Sequence, residues 1–257
     1  IRHWLREPTQ RLLDAAGLVP GAKVLDVAAG AGDQTRDIVQ RVDAQGEVWV
    51  TDVSPRSLEL AQDNLRHVTG TGLHFRVADA QTLDLDGANF DAAVCRLGLM
   101  FCIAPGQALR RMRHALRPGG RLAALVFSAP EANPCITLTM RTARQHAGAP
   151  PADPFAPGSL LSLGRPAMLA QLLDEAGLQS IEVMPLAAPF CLPRVDDYVA
   201  FLRTSASPVI ELLRGLPASR QAAAWADIAA QLDRFTTAQG WEGPNELLLC
   251  SGTRAQR

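Results

Sequence analysis

An apolar run, Lys23 to Val27, leads through the turn Ala28-Ala29-Gly30-Ala31-Gly32 directly into a helical pattern that opens at Asp33. Glycine belongs in such a turn because the backbone must reverse sharply and admit a ligand without a Cβ in the way. The helix start contributes unpaired N–H groups and a partial positive charge, a combination suited to an anionic group. The same unit recurs. Glu47 to Thr51, Leu73 to Val77, Phe90 to Cys95 and Arg121 to Phe127 read as further strands, each separated from the next by a helical pattern or a turn. Asp33 is placed to cap the first of these helices, and Ser54-Pro55 gives the second an N-cap and a first-turn proline. Pro105-Gly106 opens another helix, which Pro118-Gly119-Gly120 stops. Strands alternating with crossover helices predict an α/β fold with a doubly wound, mostly parallel sheet.

After Ser128 the character changes. Seven prolines crowd residues 128–166, around a helical pattern from Thr137 to His146, and the stretch reads as a connection over one end of the sheet. Arg165 to Ala176 reads as a helix stopped by Gly177. Ile181 to Met184 and Glu246 to Cys250 look like two late strands, which bring the sheet to seven. The block between them reads as purely helical (Val195 to Thr204, Ser207 to Leu213, Ser219 to Thr237), an insertion or cap between the last two strands. The expected division is therefore a core of residues 1–189 and 244–257 with an insertion of residues 190–243 inside the same domain. Phe201, Leu202, Ile210, Leu212, Trp225 and Ile228 suit a hydrophobic, aromatic small molecule under this cover, a homodimer interface or plain core packing alike.

Twenty-five Lys and Arg face 26 Asp and Glu, a net charge of −1 that offers no surplus for binding nucleic acid. The longest apolar runs, such as Leu122 to Phe127, fall well short of the roughly twenty residues that a membrane span needs. The five cysteines (Cys95, Cys102, Cys135, Cys191, Cys250) are odd in number and form no C-x-x-C pair. Reduced thiols in the cytoplasm are expected, with no metal site. Position 1 is Ile, with no secretory pattern behind it, so further residues are expected before it.

Two more carboxylates fall at strand ends. Asp52 closes the second strand, 20 residues past Gly32, where a doubly wound fold places the acid that accepts from both ribose hydroxyls. Asp79 follows the third strand, within reach of an adenine amino group. A dinucleotide turn requires a third glycine, but Thr35 or Asp33 stands there, and an acid at the helix start repels a pyrophosphate. The lone tyrosine, Tyr198, has no lysine beside it to form a dehydrogenase pair. Asp26 and Asp33 suit instead a ligand with a positive end, such as the ammonium and sulfonium of S-adenosylmethionine.

The Asp26–Gly32 segment resembles the first motif of class I S-adenosylmethionine-dependent methyltransferases, an acid-x-G-x-G-x-G run with Ala28 in place of its first glycine. Phe90-Asp91-Ala92-Ala93-Val94-Cys95-Arg96-Leu97-Gly98-Leu99-Met100-Phe101 is similar to the fourth-strand segment of the ubiquinone/menaquinone C-methyltransferase-like (methyltransferase type 11) branch. Ala115-Leu116-Arg117-Pro118-Gly119-Gly120-Arg121-Leu122 resembles the turn that follows its next helix. The likeness spans roughly residues 10–128 and continues more loosely beyond. It implies a Rossmann-like methyltransferase fold and methyl transfer from S-adenosylmethionine to oxygen, nitrogen or carbon of a small molecule, with S-adenosylhomocysteine as product. By position, Asp26 and Gly30 would hold the methionine amine, with Ala28 and Gly32 in the loop on which the cofactor lies. Asp52 would take the ribose and Val53 would flank the cofactor. Asp79 and Ala80 would read adenine, Cys95 and Arg96 would face the methionyl end, and Trp4 would close the pocket.

The candidates for a catalytic group are His146, His3 and Arg96, none singled out by the sequence. His114 lies in a helix away from the strand ends, and His67 and His74 flank the wrong end of the third strand. Two rival functions share the same sheet: a nicotinamide-dependent oxidoreductase, and a non-catalytic protein that binds the cofactor as a sensor.

Overall fold

The computed structural model describes residues 4–85, 87 and 89–256. The chain runs α1 (Arg6–Ala15), β1 (Lys23–Val27), α2 (Asp33–Val42), β2 (Glu47–Asp52), α3 (Pro55–Leu65), β3 (Gly72–Val77), β4 (Phe90–Arg96), α4 (Pro105–Ala115) and β5 (Leu116–Phe127). It continues with α5 (Pro134–Ala147), α6 (Pro166–Glu175), β6 (Leu178–Ala187), β7 (Phe190–Leu192), α7 (Val195–Ser205), α8 (Ser207–Arg214), α9 (Ala218–Leu232), β8 (Thr236–Thr237), β9 (Gly240–Gly243) and β10 (Glu246–Arg254). Two compact units result. The first comprises the stretch ending at Ser128, Phe155–Leu186 and the stretch from Leu247; the second comprises Ala129–Pro154 and Ala187–Glu246.

The first unit holds a seven-stranded sheet in the order β3-β2-β1-β4-β5-β10-β6. The β3-β2-β1-β4-β5 pairs are parallel, and β10 runs antiparallel to β5. The expected doubly wound, mostly parallel sheet is therefore present. Its central strands are apolar along their length because helices cover both faces: Val24, Leu25, Ala93, Val94, Leu122 and Leu125 have no exposed surface. Each helix buries one stripe, such as Ile38 and Val42 of α2 or Leu109 and Met112 of α4. Ser54 caps α3 by accepting from the Ser57 amide at 3.2 Å. Asp33 is not the cap of α2: Gly32 holds that place at φ +82°, and Asp33 is the first helical residue.

Pro118-Gly119-Gly120 also differs from expectation. It does not precede the fifth strand but lies within β5, where the register jumps from Phe90 opposite Leu116 to Ala92 opposite Arg121. Turn residues inside a strand are the chemistry of a bulge. Gly120 is packed so closely that a Cβ there would sit 2.9 Å from the carbonyl oxygens of Arg117 and Phe90. Asp91 secures this end of the sheet, accepting from the Lys23 amide at 2.8 Å and from Arg117 Nε at 2.6 Å.

The second unit takes the helical block together with most of the proline-rich connection, including α5. The expectation of a purely helical 190–243 block needs correction: β7, β9 and β8 form a three-stranded sheet with antiparallel pairing. Strands of two to four residues are too short to show an alternating pattern, so the sequence gives no cue to them. Tyr198 stacks on Trp241 at 4.7 Å, and Trp241 Nε1 donates to the Leu232 carbonyl at 2.8 Å, satisfying the one polar atom of a buried indole. Among the described residues, no helix is long and apolar enough to cross a membrane.

Candidate functional site

The sheet order reverses between β1 and β4, and in a doubly wound sheet the crevice at that reversal, beyond the strand C-termini, is where ligands bind. Two backbone segments meet there. Ala28 and Gly30, after β1, have φ of +55° and +57°; Leu97, after β4, has +58°. The segments approach so closely that a Cβ on Gly98 would lie 2.4 Å from Ala28 Cβ. A cavity of about 210 Å³ opens over the loop, lined by Ala28–Ala31, Asp33, Gln34, Arg96, Leu97 and Leu5. An added Cβ on Gly30 would meet no atom within 4 Å, so that side of the loop is open.

Asp52 fixes the loop to the second strand. One carboxylate oxygen accepts from the Gly30 amide and the other from the Ser54 amide, both at 2.9 Å. Each oxygen keeps capacity for another donor. Val53, next along, is 67% exposed, a large apolar side chain bared at the strand end. Asp79 accepts from the Gln81 amide at 2.9 Å and from Gln81 Nε2, while Gln81 Oε1 accepts from the Ala104 amide at 2.8 Å. Ala80, between them, is half-buried.

Asp26 is turned inward. It has no exposed surface, and its two oxygens accept from Gln34 Nε2 and Thr35 Oγ1, each at 2.6 Å. Burial pushes its pKa up to about 6; the Thr35 and Gln34 bonds and the Arg96 charge oppose this, and Asp52 adds to it. Cys95 is likewise buried, its thiol pushed up by burial although the Gly98 and Leu99 amides point to it. Arg96 is mostly buried, which lowers its pKa against the attraction of Asp26, Asp37 and Asp33. Its Nη1 donates to Thr9 Oγ1 at 2.7 Å.

Trp4 stacks on Phe127 at 6.1 Å, and its neighbour Leu5 is the residue that lines the cavity. His146 lies in the second unit with Nε2 3.1 Å from Asp227, and His3 lies outside the described residues. Arg96 lines both the loop cavity and a neighbouring one. Sequence reasoning missed Leu5, Thr9 and Gln81. Nothing local marks the first two, because a helix far away in sequence carries them to β4. Gln81 could have been found as the polar residue two places after a strand-end acid.

This sheet, with one antiparallel strand inserted beside β5 and a glycine-bearing loop at the reversal point, defines a Rossmann-like fold of the methyltransferase type. It superimposes on a putative methyltransferase from Bacillus halodurans with a TM-score of 0.65 at 16% identity, covering 97% of this chain and 99% of that one. It also superimposes on phosphoethanolamine N-methyltransferase 2 of Haemonchus contortus, in complex with S-adenosyl-L-methionine, with a TM-score of 0.58 at 14% identity, covering 97% and 53%. The sequence profile of the ubiE/COQ5 methyltransferase family matches residues 2–141, and the chain belongs to that family. It is 40% identical over 116 residues to the ubiquinone/menaquinone biosynthesis C-methyltransferase UbiE of Laribacter hongkongensis, a match covering 45% of this chain and 47% of that protein. The Idiomarina loihiensis UbiE is 39% identical over 119 residues, covering 46% and 47%. The chain thus spans about half the length of the curated relatives it matches.

Proposed function

We propose that this protein binds S-adenosylmethionine at the β1–β4 reversal and transfers its methyl group to oxygen, nitrogen or carbon of a small molecule. The observation that carries this reading is the junction at Asp52: one carboxylate, at the end of the second strand, braces the open glycine loop through the Gly30 amide and the next turn through the Ser54 amide. The residues suit a sulfonium nucleoside. Asp52 accepts the ribose hydroxyls, Val53 lies against the adenine, and Asp79, held by Gln81, reads the adenine edge with Ala80. Ala28, Gly30 and Gly32 supply the backbone on which the methionyl end rests. Asp26, ionised at neutral pH, adds negative charge beneath that end and braces Gln34 and Thr35 from below. Cys95 packs under the β4 end, where Arg96 faces the transfer point.

S-adenosylmethionine, when bound, supplies a methyl group on an already activated sulfonium. The protein's part is then chiefly to position the acceptor, which can supply roughly 7–11 kcal/mol of the barrier. The family match covers residues 2–141, so the role in ubiquinone and menaquinone biosynthesis named for its relatives is not carried over. Five unpaired cysteines suit a reducing compartment such as the cytoplasm.

Calorimetry tests the reading. S-adenosylhomocysteine should bind and NAD should not, and Asp52→Ala should weaken S-adenosylhomocysteine by about 1.5–3 kcal/mol, the range for hydrogen bonds to a charged group. NAD binding in preference, or an Asp52→Ala protein with undiminished affinity, would overturn it.

A further inference from the structure

Beside the loop cavity lies a second one of about 200 Å³, walled by α1 and the first turns of α2. The two share Leu5, Asp33 and Arg96, so a molecule in one adjoins a molecule in the other. A transfer between two bound partners needs that adjacency.

Arg96 stands at the junction with a guanidinium of five donors. Among the described residues its hydrogen bond goes to Thr9, and that hydroxyl gives its own proton to the Leu5 carbonyl at 2.6 Å, so Thr9 meets Arg96 purely as a neutral acceptor. Asp26, the carboxylate that acts on Arg96 most strongly, is committed through both oxygens to Gln34 and Thr35. A largely buried guanidinium held by a neutral hydroxyl carries a desolvation cost that an anion in contact would offset. Its planar fork matches a carboxylate through two parallel bonds. Arg6 and Arg36 add positive charge to the same wall, against the carboxylates of Asp37 and of Asp33, which lies 3.9 Å from Arg36, so three guanidiniums face two carboxylates there.

Resting on the methyltransferase reading above, we infer that this second cavity is the acceptor site and that it selects a small molecule bearing a carboxylate, with Arg96 as the specificity-determining residue. Leu5 supplies an apolar wall for the body of the acceptor, and the guanidinium fixes its acidic end beside the loop cavity.

The test is calorimetry on the full chain saturated with S-adenosylhomocysteine, using benzoate and phenylacetate against their neutral amides. The carboxylates should bind roughly tenfold or more tighter than the amides, as expected for charge-assisted hydrogen bonds. Arg96→Gln should abolish that preference, read at saturating S-adenosylhomocysteine because Arg96 also lines the loop cavity. Arg96→Lys, which keeps the charge but loses the fork, should retain part of it. Equal binding of acids and amides, no binding of either acid, or an Arg96→Gln protein that keeps the preference would overturn the inference. Failure of the wild-type chain to bind S-adenosylhomocysteine at all would instead strike the methyltransferase reading, so the two failures are distinguishable.

Discussion

A carboxylate with no exposed surface, such as Asp26, holds its proton to higher pH than a free aspartate because burial disfavours the charged form more than its two hydrogen bonds favour it. The direction of the resulting pH dependence follows from proton counting. Between the ordinary value of 3.8 and about 6, the folded protein keeps a proton that the unfolded chain has released. The stability Asp26 contributes is therefore present in full below that window and is lost as pH rises through it, a change of roughly 3 kcal/mol. In urea unfolding, the stability of wild type relative to Asp26→Asn should fall by about that amount from pH 4 to pH 7. A difference that stays flat would mean that Asp26 titrates like an exposed acid. Ala28 illustrates a different constraint. Its φ of +55° is costly for any residue with a Cβ, and its own Cβ is what a side chain at position 98 would strike. Ala28→Gly should raise stability by about 0.5–1 kcal/mol. Gly98→Ala should lower it by about 1–3 kcal/mol through overpacking, and the double variant should recover part of that loss. Strict additivity of the two changes in thermal unfolding would exclude the contact.

At the scale of elements, the legible features were those with a period or a cap. The apolar run of β1 and the Ser54-Pro55 start of α3 stand in the structure where the sequence puts them, because local patterning and tertiary burial agree there. Asp52 was legible as a strand-end acid, although its bonds to the Gly30 and Ser54 amides were not. Such bonds depend on how two loops meet. Three kinds of feature stayed hidden: Thr9 and Leu5, carried to β4 by α1; the two- to four-residue strands of the second unit; and the Pro118–Gly120 bulge, whose residues read as a turn. Asp91 belongs with these. It falls within a segment shared with the methyltransferase branch, yet it sits at the opposite end of the sheet from the loop and ties β1 to the β5 bulge through Lys23 and Arg117. Asp91→Ala should therefore cost about 1–3 kcal/mol of stability, most of it from the orphaned Lys23 amide, since the Arg117 pair is half exposed. S-adenosylhomocysteine affinity should stay within error of wild type, and a large loss of affinity would show that the far end of the sheet controls the site.

For the whole molecule, the question is whether the second unit depends on the first. Its two segments join the first unit at Ala129, Pro154, Ala187 and Glu246, so the chain crosses between units four times. Buried asparagines tie three of these crossings together. Asn133 Nδ2 donates to the carbonyls of Ala129 and Glu246, and its Oδ1 accepts from the Glu246 amide. Asn245 Nδ2 donates to the Ala188 carbonyl at 3.1 Å. Strands β5, β6 and β10 hold the ends of these segments, so unfolding the sheet releases them and restores the loop-closure entropy that their meeting removes. The two units should then unfold in one transition. The four tryptophans allow a direct check, because Trp4 and Trp49 report on the first unit and Trp225 and Trp241 on the second. With S-adenosylhomocysteine at about a hundred times its Kd, stabilisation of roughly 2.7 kcal/mol should move both pairs of signals to the same higher midpoint. Asn133→Ala should uncouple them, lowering the midpoint reported by the second pair while the first pair still responds to the ligand. Wild-type signals that separate, with the second pair indifferent to ligand, would show instead that the inserted segments stand on their own core of Tyr198, Trp241 and Phe190.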